Sequence, residues 1–148
     1  MSSVRGLSTT LGYVLTLAIT AILVSGLLIA GGNLVQDQRN QVIETELEVV
    51  GEQVASHLNS ADRLNQSGYG ETNVSIKQPF PADVTGQSYR LTLEEDEDAT
   101  LRLETTRPSV TVEVELTNPT AMGQSTASGG IIVIEYDNDE QAVVIDNA

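Results

Sequence analysis

Between Arg5 and Asp37 the chain carries no charged residue, and the apolar block starts directly behind Arg5-Gly6. As a helix, Leu7 to Gly32 would extend roughly 39 Å at about 1.5 Å per residue, more than the roughly 30 Å hydrocarbon core of a bilayer. The segment can therefore cross a membrane. It is too long for the apolar core of an ordinary secretory signal, which runs to about 7 to 15 residues and is followed by a small-residue cleavage site. The order differs too, because the short polar leader Met1 to Gly6 comes before the helix. A cut between Gly6 and Leu7 would remove the leader and leave the helix on the mature protein. The expected organisation thus begins with a leader at 1–6 and a membrane-crossing helix at 7–32.

A second helical pattern follows at 33–64. Ile43, Leu47, Val50, Val54, Leu58 and Ala61 recur at threes and fours, with Glu44, Glu46, Glu48 and Glu52 mostly off that face. This is an amphipathic stalk, about 48 Å long if unbroken. Gly31-Gly32 just before it and Gly51 within it are the expected weak points, since glycine costs about 1 kcal/mol in a helix interior. The period ends around Asn65-Gln66-Ser67-Gly68 and becomes two after Gly70. Val74 to Lys77, Tyr89 to Leu93, Leu101 to Leu103, Val110 to Leu116, Ile131 to Ile134 and Val143 to Ile145 then read as about six strands. Pro79 and Pro81, Glu94 to Asp98, Arg107-Pro108, Asn118-Pro119 and Asp137 to Glu140 supply the turns between them. The expected fold class is α+β: a long N-terminal helix followed by a small antiparallel β domain at 70–148, sandwich or meander.

Composition narrows the function. Of the 148 residues, enough for a single modest domain remain beyond the apolar helix, too few for a second catalytic domain. Twenty-one acidic residues against seven basic ones give a net charge of -14 and a pI near 4.1. Phosphate binding needs Lys and Arg, so nucleic acid is not an expected partner. Acidic charge at this level destabilises a compact state by self-repulsion unless salt screens it, which makes a halophilic source the economical explanation and a merely acidic surface protein the plainer one. With no cysteine, disulfides and thiolate metal sites are excluded.

In the leader and first helix the chain resembles archaeal type IV pilins, particularly those of halophilic archaea. Arg5-Gly6 followed by Leu7-Ser8 looks like the site of a prepilin peptidase, and Ser8, Gly12, Leu15, the run Ala18-Ile19-Thr20 and Ile22-Leu23 match the pilin helix. The likeness covers about the first thirty residues. It departs at Thr9, where many such pilins have Pro, and at Leu11, where bacterial pilins usually have Glu. The resemblance implies processing at Arg5, Gly6 and Leu7, then polymerisation through the helix into a surface filament used for adhesion. Its implied partners are the membrane, the prepilin peptidase, other copies or other pilins, and an assembly ATPase with a platform protein. Before assembly the chain would be a single-pass membrane protein with its C-terminal domain outside; afterwards it would belong to an extracellular filament.

Ser8, Gly12, Thr16 and Thr20, four apart, place small or hydroxylated side chains along a drifting stripe suited to close helix packing in lipid, although Gly and Thr are also simply common in membrane helices. Asn65-Gln66-Ser67 and Asn73-Val74-Ser75 are N-glycosylation triplets near the junction with the β domain, a pattern that also arises by chance. The acidic cluster Glu94 to Asp98 could bind a hard cation through carboxylate oxygens, but it lacks the alternating ligands and turn glycine of a calcium loop and reads first as a solvated hairpin tip. Asp137 to Glu140 read as turn residues. His57 is the only histidine, it sits within the stalk pattern, and no serine has a nucleophile-elbow context. No metal, cofactor or enzymatic activity is expected. The alternative reading is a monomeric membrane-anchored binding or sensor protein whose leader stays uncleaved; a cut near Ala30-Gly31, releasing a soluble domain, is the third.

Overall fold

The computed structural model describes residues 2–67, 75–94, 99–117 and 120–148, with side chains described throughout except at 2–8 and 65. Among the described residues one helix, α1 (Ser2–Ser67), precedes eight strands: β1 (Ser75–Pro79), β2 (Asp83–Val84), β3 (Gln87–Glu94), β4 (Thr100–Thr106), β5 (Ser109–Glu115), β6 (Ser125–Ser128), β7 (Ile131–Asp137) and β8 (Ala142–Asn147). The chain divides into two compact units, Met1–Arg39 and Asn40–Ala148. The fold is α+β with antiparallel sheets, as the change of period from 3.6 to 2 predicts. Gly31 and Gly32 lie within α1 and do not end it.

In the second unit the helical stripe forms one wall of the core. Ile43, Leu47, Val54 and Leu58 are fully buried, Val50 and Ala61 nearly so, and all six belong to one cluster with residues of both sheets. Gly51 lies within this stripe, where the sequence suggests a weak point. A Cβ placed there would sit 2.8 Å from Val114 Cγ2 and 2.9 Å from Leu103 Cδ1. Glycine is what lets the helix backbone lie this close to β4 and β5, and the packing offsets its cost in helix propensity.

The larger sheet runs β2-β3-β4-β5, with β6 on the same edge of β3 as β2, further along the strand. Its registers explain its alternation. Leu91 faces Leu103, Leu93 faces Leu101 and Tyr89 faces Thr105, all turned to the core. Arg90, Thr92 and Arg102 occupy the opposite face, where Arg102 lies 3.0 Å from both Glu94 and Glu113. Such exposed pairs contribute little, about 0.2–1 kcal/mol each. The β2–β3 hairpin turns on Thr85 and Gly86, both at positive φ (49° and 70°), the geometry that a two-residue loop needs to match strand twist. Between β4 and β5 the Arg107-Pro108 peptide is cis, and the buried Thr105 hydroxyl donates to Pro108 O at 2.7 Å.

The smaller sheet has the order β1-β7-β8, and Ile132, Ile134, Val143 and Ile145 join the same core. The two sheets meet along β6 and β8. There the chain just before β6 makes an isolated parallel bridge, Met122 with Val143, and side chains complete the seam. Ile145 N donates to Ser125 Oγ (3.0 Å), Ser128 N to Asn147 Oδ1 (2.9 Å), and Asn147 Nδ2 to Ser128 O (2.9 Å).

Each of the six strands read from sequence overlaps a described strand, Val74 of the first lying outside the described residues, and β2 and β6 are additional. Asp83–Val84 is too short to show a period. Ser125–Ser128 buries only Ala127, so neither strand carries an apolar alternation that a sequence pattern could reveal.

Candidate functional site

The first unit is helix alone. Every described side chain from Thr9 to Arg39 is exposed. Fourteen large apolar side chains between Leu11 and Val35 are among them, with Leu27, the most open, at 73% exposure. At about 1.5–3 kcal/mol for each such side chain, burying them is worth roughly 20 to 40 kcal/mol, against the roughly 5–15 kcal/mol that holds a whole domain folded. An apolar surface of this size requires lipid or other helices around it. α1 is long and apolar enough to cross a membrane, and its most apolar stretch has no buried residue.

The polar groups on this helix satisfy themselves. Thr16 Oγ1 donates to Gly12 O, Thr20 Oγ1 to Thr16 O and Ser25 Oγ to Ala21 O, each at 2.8 Å. In hydrocarbon an unpaired hydroxyl is costly, and these i to i−4 bonds remove that cost without a neighbour's help. The Gly12, Thr16 and Thr20 stripe therefore offers low volume and methyl groups, with its donors already used. Gly12 and Gly26 have open space where a Cβ would project. The backbone at Arg5, Gly6, Leu7 and Ser8 is helical, and their side chains lie outside the described set.

The second unit carries the other residues singled out from sequence. Asn65 falls in the last turn of α1, where the Ser67 hydroxyl of its triplet donates to Leu64 O at 3.0 Å. Asn73 and the acidic residues 95–98 lie outside the described residues. Asp137 Oδ1 accepts from the backbone N–H of Asp139 (2.7 Å) and Glu140 (3.3 Å), so this carboxylate closes its own turn. His57 packs edge-on against Phe80, ring centroids 5.9 Å apart. No cluster of three potential metal ligands lies among the described residues.

Two concavities mark this unit. The first, about 450 Å³, includes Asp83, Ser88, Arg90, Glu104 and Ser128 in its lining, beside the buried Tyr89. Tyr89 donates to Pro81 O at 2.7 Å, and its hydroxyl is pushed up to about 12 by burial, with the nearby Asp83 carboxylate adding to the shift. Gly129 makes this corner possible, because a Cβ there would sit 2.5 Å from Ala82 O and 2.6 Å from Tyr89 Cε1. The second, about 420 Å³, runs between Glu46, Val49 and Gln53 of α1 and Pro81, Val84 and Thr85 of the hairpin. Thr85 Oγ1 donates there to Glu46 Oε2 at 2.9 Å. Sequence patterning signalled neither, since each is assembled from short segments far apart in the chain.

Residues 2–146 match the family of unknown function DUF7266, and the chain belongs to that family. No curated protein and no solved structure matches it.

Proposed function

We propose that this DUF7266 protein is a structural subunit of an archaeal type IV pilus-like surface filament, processed after Gly6 and polymerised through its N-terminal helix. The observation that carries the reading is the helix of the first unit, free of charge from Gly6 to Gln36, exposed at every described side chain and preceded by Arg5. Before assembly the helix rests in lipid with the β domain outside, and Arg5 on the cytoplasmic side accords with the positive-inside tendency. Assembly exchanges lipid for neighbouring helices, so the apolar surface stays covered throughout. Close approach is favoured by the Ser8, Gly12, Thr16 and Thr20 stripe, because small side chains let helices pack where apolar burial gives no net drive. The subunit performs no chemistry; the β domain presents the surface that adheres. A prepilin peptidase, an assembly ATPase and a platform protein complete the pathway that the pilin resemblance implies.

The test is the N-terminal residue of the protein recovered from membranes, read by intact mass and N-terminal peptide analysis. A start at Leu7, blocked when Gly6 is replaced by a bulky residue and accompanied by sedimentable filaments, is the expected result. A start at Met1 or Ser2 without polymers would make the chain a permanently anchored surface protein. A start beyond Gly31 would remove the helix from the mature protein and end the filament reading.

A further inference from the structure

Among the described residues the joined sheets leave two outer strands longer than the two-residue β2. β1 pairs only with β7 and β5 only with β4, so among the described residues the other edge of each has no strand partner. Unpaired backbone N–H and C=O groups along an edge are a template for a strand from another chain.

The two edges differ in charge and agree in pattern. β1 carries Lys77, the only lysine, exposed and without an ion pair among the described residues. β5 carries Glu113 and Glu115 on its exposed face, and Glu115 has no ion pair among the described residues. On β1, Ser75, Lys77 and Pro79 face outward while Ile76 and Gln78 are half-buried; on β5, Thr111, Glu113 and Glu115 face outward while Val110, Val112 and Val114 are half-buried. Joining β5 to β5 would set carboxylates against carboxylates, and like charges across a ladder are destabilising. Joining β1 to β5 sets the lysine among the carboxylates, and Ile76 then covers valines that their own chain leaves half open.

We infer that β1 of one copy of this chain adds parallel to β5 of a second copy, with Lys77 opposite Glu113 and diagonal to Glu115, which sets Ser75 opposite Thr111. The contact is head-to-tail, so two copies do not close it and further copies add to form a row or a ring. It deepens the assembly reading and rests on it for bringing copies side by side, but it assigns the β domains a contact of their own, separate from the helix.

The absence of native cysteine allows a direct test on the full-length chain. S75C and T111C variants, which keep Lys77, Glu113 and Glu115, are co-expressed, and the membrane and sheared-surface fractions are treated with a short bismaleimide; T126C, exposed on the interior strand β6, replaces T111C in the control. The expected product is a dimer joining the S75C and T111C chains, with none from S75C and T126C. K77E added to the S75C chain should lower that yield about fivefold, the scale of an exposed ion pair, and adding E113K with E115K to the T111C chain should restore it. Filaments with a mature start at Leu7 but no S75C–T111C dimer would overturn the strand addition and leave the filament reading intact. A dimer formed by chains that still start at Met1 would support the strand addition while the filament reading falls. A predominant S75C–S75C product would overturn the head-to-tail arrangement.

Discussion

Residues 9–39 and 40–67 share one helix but differ in the distribution of their apolar side chains. In the first stretch these surround the helix, and every described one is exposed; in the second they keep to one stripe, and Ile43, Leu47, Val54 and Leu58 are fully buried under the sheets. A helix apolar all round has no water-facing side and needs lipid or other helices, whereas a striped helix is completed by its own domain. The same residue type therefore carries opposite obligations in the two stretches, and substitution separates them.

The largest contrast is between leucines. Leu47→Ala should cost the β domain about 2–5 kcal/mol through lost burial and the cavity left behind, read as a lowered denaturation midpoint. Leu17→Ala should leave that midpoint unchanged. Conversely, Leu17→Arg should cost membrane insertion about 2.5–3.5 kcal/mol, read as a shift of full-length protein out of the membrane fraction, with the β domain's midpoint retained. A fall in that midpoint would break the division into two obligations.

Glycines give the next contrast. Gly51→Ala forces a Cβ to within 3 Å of Val114 and Leu103; overpacking costs about 1–3 kcal/mol, of which about 1 kcal/mol is returned as helix propensity. The domain should be destabilised by about 1 kcal/mol in chemical denaturation. Gly26→Ala meets open space and should not change the domain's stability.

Within the β domain, Tyr89→Phe removes the bond to Pro81 O and should cost about 1 kcal/mol. The raised Tyr89 value also fixes a sign. Above the ordinary tyrosine value near 10 the unfolded chain loses this proton while the folded one keeps it until about 12. Stability from this residue is thus complete below about pH 10 and is lost as pH rises through 12. Alkaline denaturation of Tyr89→Phe should lack that fall. The smallest effect is expected at Thr16→Val and Thr20→Val. Their hydroxyls are already bonded within the helix, so membrane retention should be unchanged and assembly should shift by less than about 0.5 kcal/mol. A larger loss in sedimented polymer would show that these hydroxyls bond between chains.

Much of this fold is legible in the chain, because periodicity reports which side of an element is covered. The six buried stalk positions and six of the eight strands follow from spacing alone. β2 and β6 do not: one has two residues, and the other is held by Leu91 and Asn147, partners far away in sequence. Of the candidate site residues, Ser8, Gly12, Thr16 and Thr20 lie on α1, and the use of the Thr16 and Thr20 donors required hydrogen-bond geometry. Gly51 had a signal that could have been read, a glycine in line with Leu47 and Val54 on an apolar stripe, where small size permits close approach.

The amino-acid sequence by itself determined the charge-free helix, the start of the amphipathic stripe, the acidic surface and the change to strands, since each depends on the order of side chains along a regular backbone. Only the tertiary structure decided that Gly51 is a contact, that β6 and β8 join through side chains, and that β1 and β5 are left as open edges of unlike charge. Those features depend on which distant segments meet, and no local period encodes that.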